Sequence, residues 1–154
     1  MIDKKKACAL SGHRVVSKNV DEKEVKNLLY KSINDGFDTF LCGMALGFDT
    51  LCFKLLLELK ETNDIKIIAC VPCKDQDAFF TKKQKESYRN FLEKADQIIC
   101  LSPEYFDGCM QLRNQFMIDN ASRVIAYLNC GYGGTYNTVK YAVERGVEVV
   151  YVNK

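Results

Sequence analysis

The chain has a single histidine, His13. That scarcity argues against a histidine-pair metal site and against a serine–histidine triad, so no metal is expected. The G-x-S-x-G elbow of hydrolases and the Walker A loop are both missing. No apolar run approaches a membrane span. Only Ala7-Cys8-Ala9-Leu10 separates the basic start from Ser11-Gly12-His13-Arg14, too little for a signal-peptide core. A cytoplasmic protein without membrane contact is the expectation. Linkers, repeats and low-complexity tracts are also lacking. The net charge of +2 leaves no strong nucleic-acid footprint, so nucleic acid is an unlikely partner on charge alone.

What is present is ordinary globular material. The 154 residues are 47% hydrophobic and 27% charged. A chain of this length suits one domain, 1–154, burying roughly 70% of its unfolded surface. The eight cysteines, without a secretion signal, read as reduced thiols. Cys8, Cys42, Cys70, Cys100 and Cys130 fall in or beside strand-like runs. Cys70-Val71-Pro72-Cys73 is a C-x-x-C, but Cys70 falls within a strand and no second ligand pair follows, so packing is the better reading.

Strand and helix patterns alternate throughout. Strands are expected near 6–10, 39–42, 65–71, 98–101, 123–128 and 147–152. The first helix covers about 21–34, with Val25, Leu28, Leu29 and Ile33 on one face and Asp21 and Glu24 at capping-box spacing. A second follows Gly47, marked by Leu51, Cys52, Leu55, Leu56 and Leu59. Residues 74–84 read as a loop. A third helix carries Tyr88, Phe91, Leu92 and Ala95, a fourth covers about 109–120, and a fifth carries Tyr136, Val139, Ala142 and Val143. Apolar strands separated by single helices predict an α/β fold: a three-layer sandwich around a mainly parallel sheet. Right-handed crossovers then bring the loops 11–14, 43–47 and 131–135 to one sheet edge, where ligands bind in such folds.

The loop Gly131-Tyr132-Gly133-Gly134-Thr135 lies between a strand and a helix. Free N–H groups and the helix dipole there favour an anion, and glycines let a phosphate approach. Phosphate binding is therefore preferred over an ordinary turn, with Thr135 capping the helix or adding a hydroxyl. The third glycine of a dinucleotide fingerprint is replaced by Tyr136. His13 and Arg14 read equally as a solvated loop pair or as an anion clamp. Asp49 reads first as a helix-end carboxylate and second as an acceptor for a ribose hydroxyl. Leu112, Phe116 and Met117 mark the apolar stripe of the fourth helix. Arg113 on its flank reads as a snorkelling surface charge, or as a group reaching toward the glycine loop beside Asn114.

Together these motifs resemble the SLOG superfamily, the Rossmann-like group that joins LOG proteins to DNA-processing protein A, and most closely its YpsA-like branch. Ser11-Gly12-His13-Arg14 is similar to that branch's T/S-G-H-R. Gly43-Met44-Ala45-Leu46-Gly47-Phe48-Asp49 is similar to G-M-A-L-G-x-D. Arg113-Asn114-Gln115-Phe116-Met117-Ile118-Asp119 resembles R-N-x-x-M-V-D, and the segment from Gly133 to Ala142 resembles G-G-T-x-x-T-V-x-Y-A. The resemblance implies a Rossmann-like domain that binds or senses a nucleotide or nucleotide-derived ligand at the sheet edge. It also implies a homodimer and no required cofactor. The implied site is Ser11, Gly12, His13, Arg14, Gly43, Met44, Gly47, Asp49, Arg113, Asn114, Gly131, Tyr132, Gly133, Gly134 and Thr135.

LOG proteins imply an alternative, phosphoribohydrolysis of nucleoside monophosphates by an Arg and a Glu acting together. Arg113 matches that Arg, but the Glu position falls on Thr138. Hydrolysis would then need a substitute carboxylate such as Asp49 or Asp119. The DNA-processing branch implies single-stranded DNA binding as a further alternative. Its motif Arg is Leu46 here, although His13, Arg14, Lys18, Phe79, Phe80 and Tyr132 could form a small basic and aromatic platform.

Overall fold

In the computed structural model, which describes residues 2–16 and 20–153, the alternation of patterns becomes one sheet of six parallel strands. Lys18 lies outside the described residues. The strands are β1 (Ala7–Gly12), β2 (Thr39–Cys42), β3 (Lys66–Val71), β4 (Gln97–Cys100), β5 (Arg123–Tyr127) and β6 (Glu148–Tyr151). Between them run α1 (Glu22–Asn34), α2 (Phe48–Lys60), α3 (Lys82–Lys94), α4 (Cys109–Asp119) and α5 (Gly134–Glu144). The strand order is β4-β3-β2-β1-β5-β6. Direction therefore reverses between β1 and β5, which opens a crevice at their C-terminal ends.

The period-two pattern of each strand divides the core between the two faces. Cys8, Leu10, Phe40, Ile67, Ile125 and Tyr127 point to one side and pack with Val25 and Leu29 of α1, Phe53 and Leu56 of α2 and Tyr88 of α3. Ala7, Ala9, Leu41, Ile68, Cys70 and Val124 point to the other and pack with Met117 and Ile118 of α4 and Ala142 of α5. The helices thus cover both faces, as a parallel sheet requires.

Local chemistry sets the helix ends. Asp21 caps α1 by accepting from the Lys23 N–H at 2.9 Å. The expected capping box does not close, because the Glu24 carboxylate instead accepts from the Asn153 N–H at 2.8 Å. A reciprocal box forms on α3, where Thr81 and Gln84 exchange bonds. Helix therefore begins at Lys82, inside the stretch expected to be loop. Two amphipathic stripes are rotated from expectation. Leu112 is exposed while Arg113 is buried, and Tyr136 and Val143 are exposed while Thr135 and Thr138 are buried.

At the N-terminal edge of the sheet, Arg123 joins β5, β6 and α1. It donates to Asp35 at 2.8 Å, Glu148 at 2.9 Å and Ser32 at 3.1 Å, and lies over the Phe37 ring. That contact holds the Asp35 carboxyl below its ordinary pKa. All eight cysteines are free thiols. Cys70 is buried, and desolvation pushes its pKa to about 12, so the C-x-x-C motif is packing rather than a reactive pair.

Two glycines are fixed by close approach. A Cβ on Gly12 would lie 2.4 Å from the Phe48 ring, and one on Gly47 would lie 2.0 Å from the Arg14 carbonyl oxygen. Gly47 also has φ of +83°, whereas Gly131 has open space around it. Gly47→Ala should accordingly cost about 2 kcal/mol or more in urea unfolding, and Gly131→Ala should stay within about 0.5 kcal/mol of the wild type. Equal stability of the two variants would contradict this packing of the 11–14 loop onto the start of α2.

Candidate functional site

Above the C-terminal ends of β1, β2 and β5 lies a cavity of about 360 Å³. Its walls come from four separate parts of the chain. Ser11, Gly12, His13 and Arg14 leave β1, Ala45 and Asp49 enter from β2 and α2, Met110, Arg113 and Asn114 come from α4, and Gly134 and Thr135 open α5. Ala45 and Met110 were missed by motif reading. Met110 carried a usable signal, since it lies three and four residues before Arg113 and Asn114, on the same helical face.

The first loop is braced by its histidine. His13 Nε2 accepts from the Asn129 backbone N–H at 3.0 Å, so its proton sits on Nδ1, and its ring meets Tyr127 edge-on. Burial lowers its pKa and keeps the imidazole neutral. The His13 carbonyl accepts the Phe48 N–H at 3.1 Å, tying the loop to the first turn of α2. Arg14 is exposed at the rim, where its Nη2 meets Met110 Sδ at 3.3 Å. Among the described residues no carboxylate pairs with it within 4.0 Å.

Arg113 is only 4% exposed, which corrects the snorkelling reading. It occupies the inward stripe of α4 with Cys109 and Met117, and main-chain carbonyls receive its charge. Its Nη1 donates to the Gly43 carbonyl and, at 3.4 Å, to the Cys70 carbonyl, while Nε donates to Asn114 Oδ1 at 2.8 Å. The remaining nitrogen, Nη2, has no hydrogen-bond partner among the described residues, and Arg113 lines the cavity. Gly43 provides the room, because a Cβ there would lie 2.9 Å from Arg113 Cζ.

Asp49 is 6% exposed at the start of α2. Its Oδ2 accepts the Ala45 N–H at 3.1 Å, a helix-end role, but its Oδ1 is buried with no hydrogen-bond partner among the described residues. Desolvation raises its pKa to about 6, against the opposing pull of Arg113, the Ala45 N–H and Arg14. Met44, with φ of +64°, bends the chain into this turn and lines a smaller apolar cavity of about 70 Å³ on the far side of Asp49. A left-handed methionine is uncommon and is held here by burial.

The start of α5 has no side-chain cap. Gly133, with φ of +98°, takes the cap position, and Thr135 lies inside the first turn with its side chain buried at the cavity rather than capping. The first helical bond at that end runs from the Asn137 N–H to the Gly133 carbonyl at 3.0 Å. The N–H groups of Gly134, Thr135 and Tyr136 precede it and carry the positive end of the helix dipole, worth roughly half a unit charge. A Cβ on Gly133 or Gly134 would meet nothing within 4 Å, so an anion has access.

Not every candidate shares this cavity. Gly43 and Gly47 support it from below, while Gly131, Tyr132 and Gly133 lie outside its lining. Asp119 lies at the other end of α4, accepting from Tyr141 Oη at 2.7 Å and pairing with Arg145 at 3.6 Å. Thr138 donates its hydroxyl to the Gly134 carbonyl at 2.8 Å. Asp49 is thus the one carboxylate lining the cavity among the described residues. Among those residues there is also no cluster of metal-ligating side chains, and no helix is long and apolar enough to cross a membrane.

A parallel sheet reversing between its first and fifth strands, with a glycine-opened helix at the reversal, defines a Rossmann-like protein with a strand-edge cleft. Residues 16–148 match the YpsA family model, described as the YspA SLOG family, and the chain belongs to that family. It is similar to the uncharacterized SPbeta prophage-derived protein YoqJ of Bacillus subtilis (strain 168), 32% identical over 116 residues, covering 67% of this chain and 68% of YoqJ. A UPF0398 protein of Halalkalibacterium halodurans is 22% identical over 107 residues, covering 68% of this chain and 57% of that protein.

Among solved structures, DNA processing protein A from Helicobacter pylori, described for its single-stranded DNA binding mode, superposes with a TM-score of 0.70 at 18% identity. DNA processing protein A (DprA) from Streptococcus pneumoniae gives 0.58 at 17%. Both superpositions cover 94% of this chain but only 64% and 58% of the respective DprA chains.

Asp49 gives the site a pH signature in the absence of ligand. Its folded pKa of about 6 lies above an ordinary carboxyl value, so the folded chain holds the extra proton between about pH 4 and 6. Stability from this group is full below pH 4 and is lost as pH rises through 6. Asp49→Asn, which keeps an acceptor for Ala45, should flatten that decline. It should match the wild type at pH 4 and exceed it by on the order of 2 kcal/mol at pH 7.5 in urea titrations. A less stable variant at pH 7.5 would mean that the carboxylate is well paired instead.

Proposed function

We propose that this protein binds a nucleotide or nucleotide-derived molecule in the strand-edge cavity. The phosphate sits against the N–H groups at Gly134 and Thr135, and the guanidinium groups of Arg113 and Arg14 flank it. The observation that carries this reading is the convergence of an uncapped helix start and two arginines on one cavity. Its lone carboxylate, Asp49, is outnumbered by the two guanidinium groups and the helix start. The cavity therefore offers a surplus of positive charge and unshared donors, which suits an anion.

Binding is favoured over turnover because Thr138 stands where a LOG-type hydrolase carries its glutamate. Thermal-shift titration with AMP, ADP-ribose, NAD and cyclic nucleotides should reveal a saturable stabiliser, worth ~2.7 kcal/mol at a hundredfold excess over the dissociation constant. The shift should vanish in Gly134→Val, which fills open space in front of the helix, and shrink in Arg14→Ala. Release of free adenine from AMP by the wild type, lost in Asp49→Asn, would make the site hydrolytic instead.

A second reading is single-stranded DNA binding, supported by the likeness to the DprA fold and by the exposed Phe79 ring, which lines a hollow together with Arg14. A salt-dependent mobility shift of a labelled oligonucleotide, weakened by Arg14→Ala, would favour it over a mononucleotide.

A further inference from the structure

The anion cavity does not end at Arg14. A second hollow, of about 170 Å³, shares Arg14, Ala45 and Met110 with it and continues between Leu46, Phe79 and Phe80. We propose that this hollow is the subsite for a planar heterocyclic base, which stacks on the ring of Phe79 while the phosphate occupies the anion end. The proposal rests on the nucleotide reading above and adds to it where the base lies and what selects it.

Phe79 is fully exposed and contributes nothing to the core. The segment beneath it is nonetheless firmly held. Successive turns run from the Ala78 N–H to the Asp75 carbonyl and from the Phe80 N–H to the Asp77 carbonyl, each 3.0 Å. The neighbouring Phe80 ring packs edge-on against Tyr88 at 5.6 Å. Tyr88 donates to Gln76 Oε1 at 3.1 Å, and Gln76 Nε2 donates to the Gly43 carbonyl at 3.2 Å. That carbonyl also receives Arg113. One backbone oxygen thus couples the turn bearing Phe79 to the guanidinium facing the anion. The backbone that carries the exposed ring is therefore anchored beside the charged cavity, and the ring itself is open to a stacking partner.

The chemistry of the hollow also sets its selectivity. Leu46, Phe80 and Met110 offer apolar surface, and both ends of the Gln76 amide are already engaged. Little is left to read the hydrogen-bonding edge of a base, so recognition comes from ring area, with Arg14 able to add a cation–π contact. Purines should accordingly bind more tightly than pyrimidines, with weak discrimination between adenine and guanine.

The chain contains no tryptophan, so Phe79→Trp supplies a single reporter at an exposed position that the fold does not need. AMP should quench its fluorescence saturably, and ribose 5-phosphate should bind without quenching. Phe79→Ala should weaken AMP at least about fivefold in calorimetry and leave ribose 5-phosphate unchanged. If ribose 5-phosphate binds the wild type as tightly as AMP and Phe79→Ala changes neither, the base subsite is wrong while the anion site stands. If neither probe binds, the nucleotide reading fails and the subsite with it. Quenching by an oligothymidylate but not by AMP would assign the ring to a nucleic-acid strand and overturn the proposal.

Discussion

A guanidinium turned inward at the C-terminal edge of the sheet is the interaction on which the site depends. Taking Arg113 out of water is costly, and the cost is met by main-chain carbonyls of two different strand ends together with its neighbour Asn114. The arrangement requires that the residue after β2 have no side chain, which Gly43 satisfies. It also sets the rotation of α4, because a helix that turns Arg113 inward must turn Leu112 outward. Met110 and Asn114 then follow onto the cavity wall by helical geometry alone.

The electrostatics of the cleft are unbalanced in an informative way. A carboxylate close to two arginines would ordinarily have its pKa lowered, yet for Asp49 burial outweighs both and raises it. Its second oxygen has no hydrogen-bond partner among the described residues, the kind of local cost that tends to collect where a protein meets another molecule. Met44, with its left-handed backbone one turn away, belongs to the same locally unfavourable loop.

The sheet, its parallel sense and the gathering of glycine loops on one edge were legible in the sequence because they follow from period, length and chirality. The direction of Arg113 was not. A helical wheel places it beside an apolar stripe, and only the assembled sheet puts the Gly43 and Cys70 carbonyls within its reach. The start of α3 was written as Thr81-x-x-Gln84 but lay within a polar stretch, where apolar periodicity gives no signal. Glu24 had capping-box spacing, yet the chain near Asn153 claimed it. Asp49 was visible as a helix-end acid, while its burial depends on neighbours that the motif does not specify. In each case local grammar supplied the element and long-range contacts supplied its orientation.

The strand that begins the fold is also its central partition. β1 lies between β2 and β5 and touches both faces of the core, and the loop leaving it forms one wall of the cleft. The remaining walls are drawn from positions 45 to 135, so no contiguous fragment reproduces the cleft. The order of events in folding is constrained accordingly: β1 must wait for β5 to arrive beside it before the recognition surface exists. Ligand capture would therefore report on the pairing of β1 with β5.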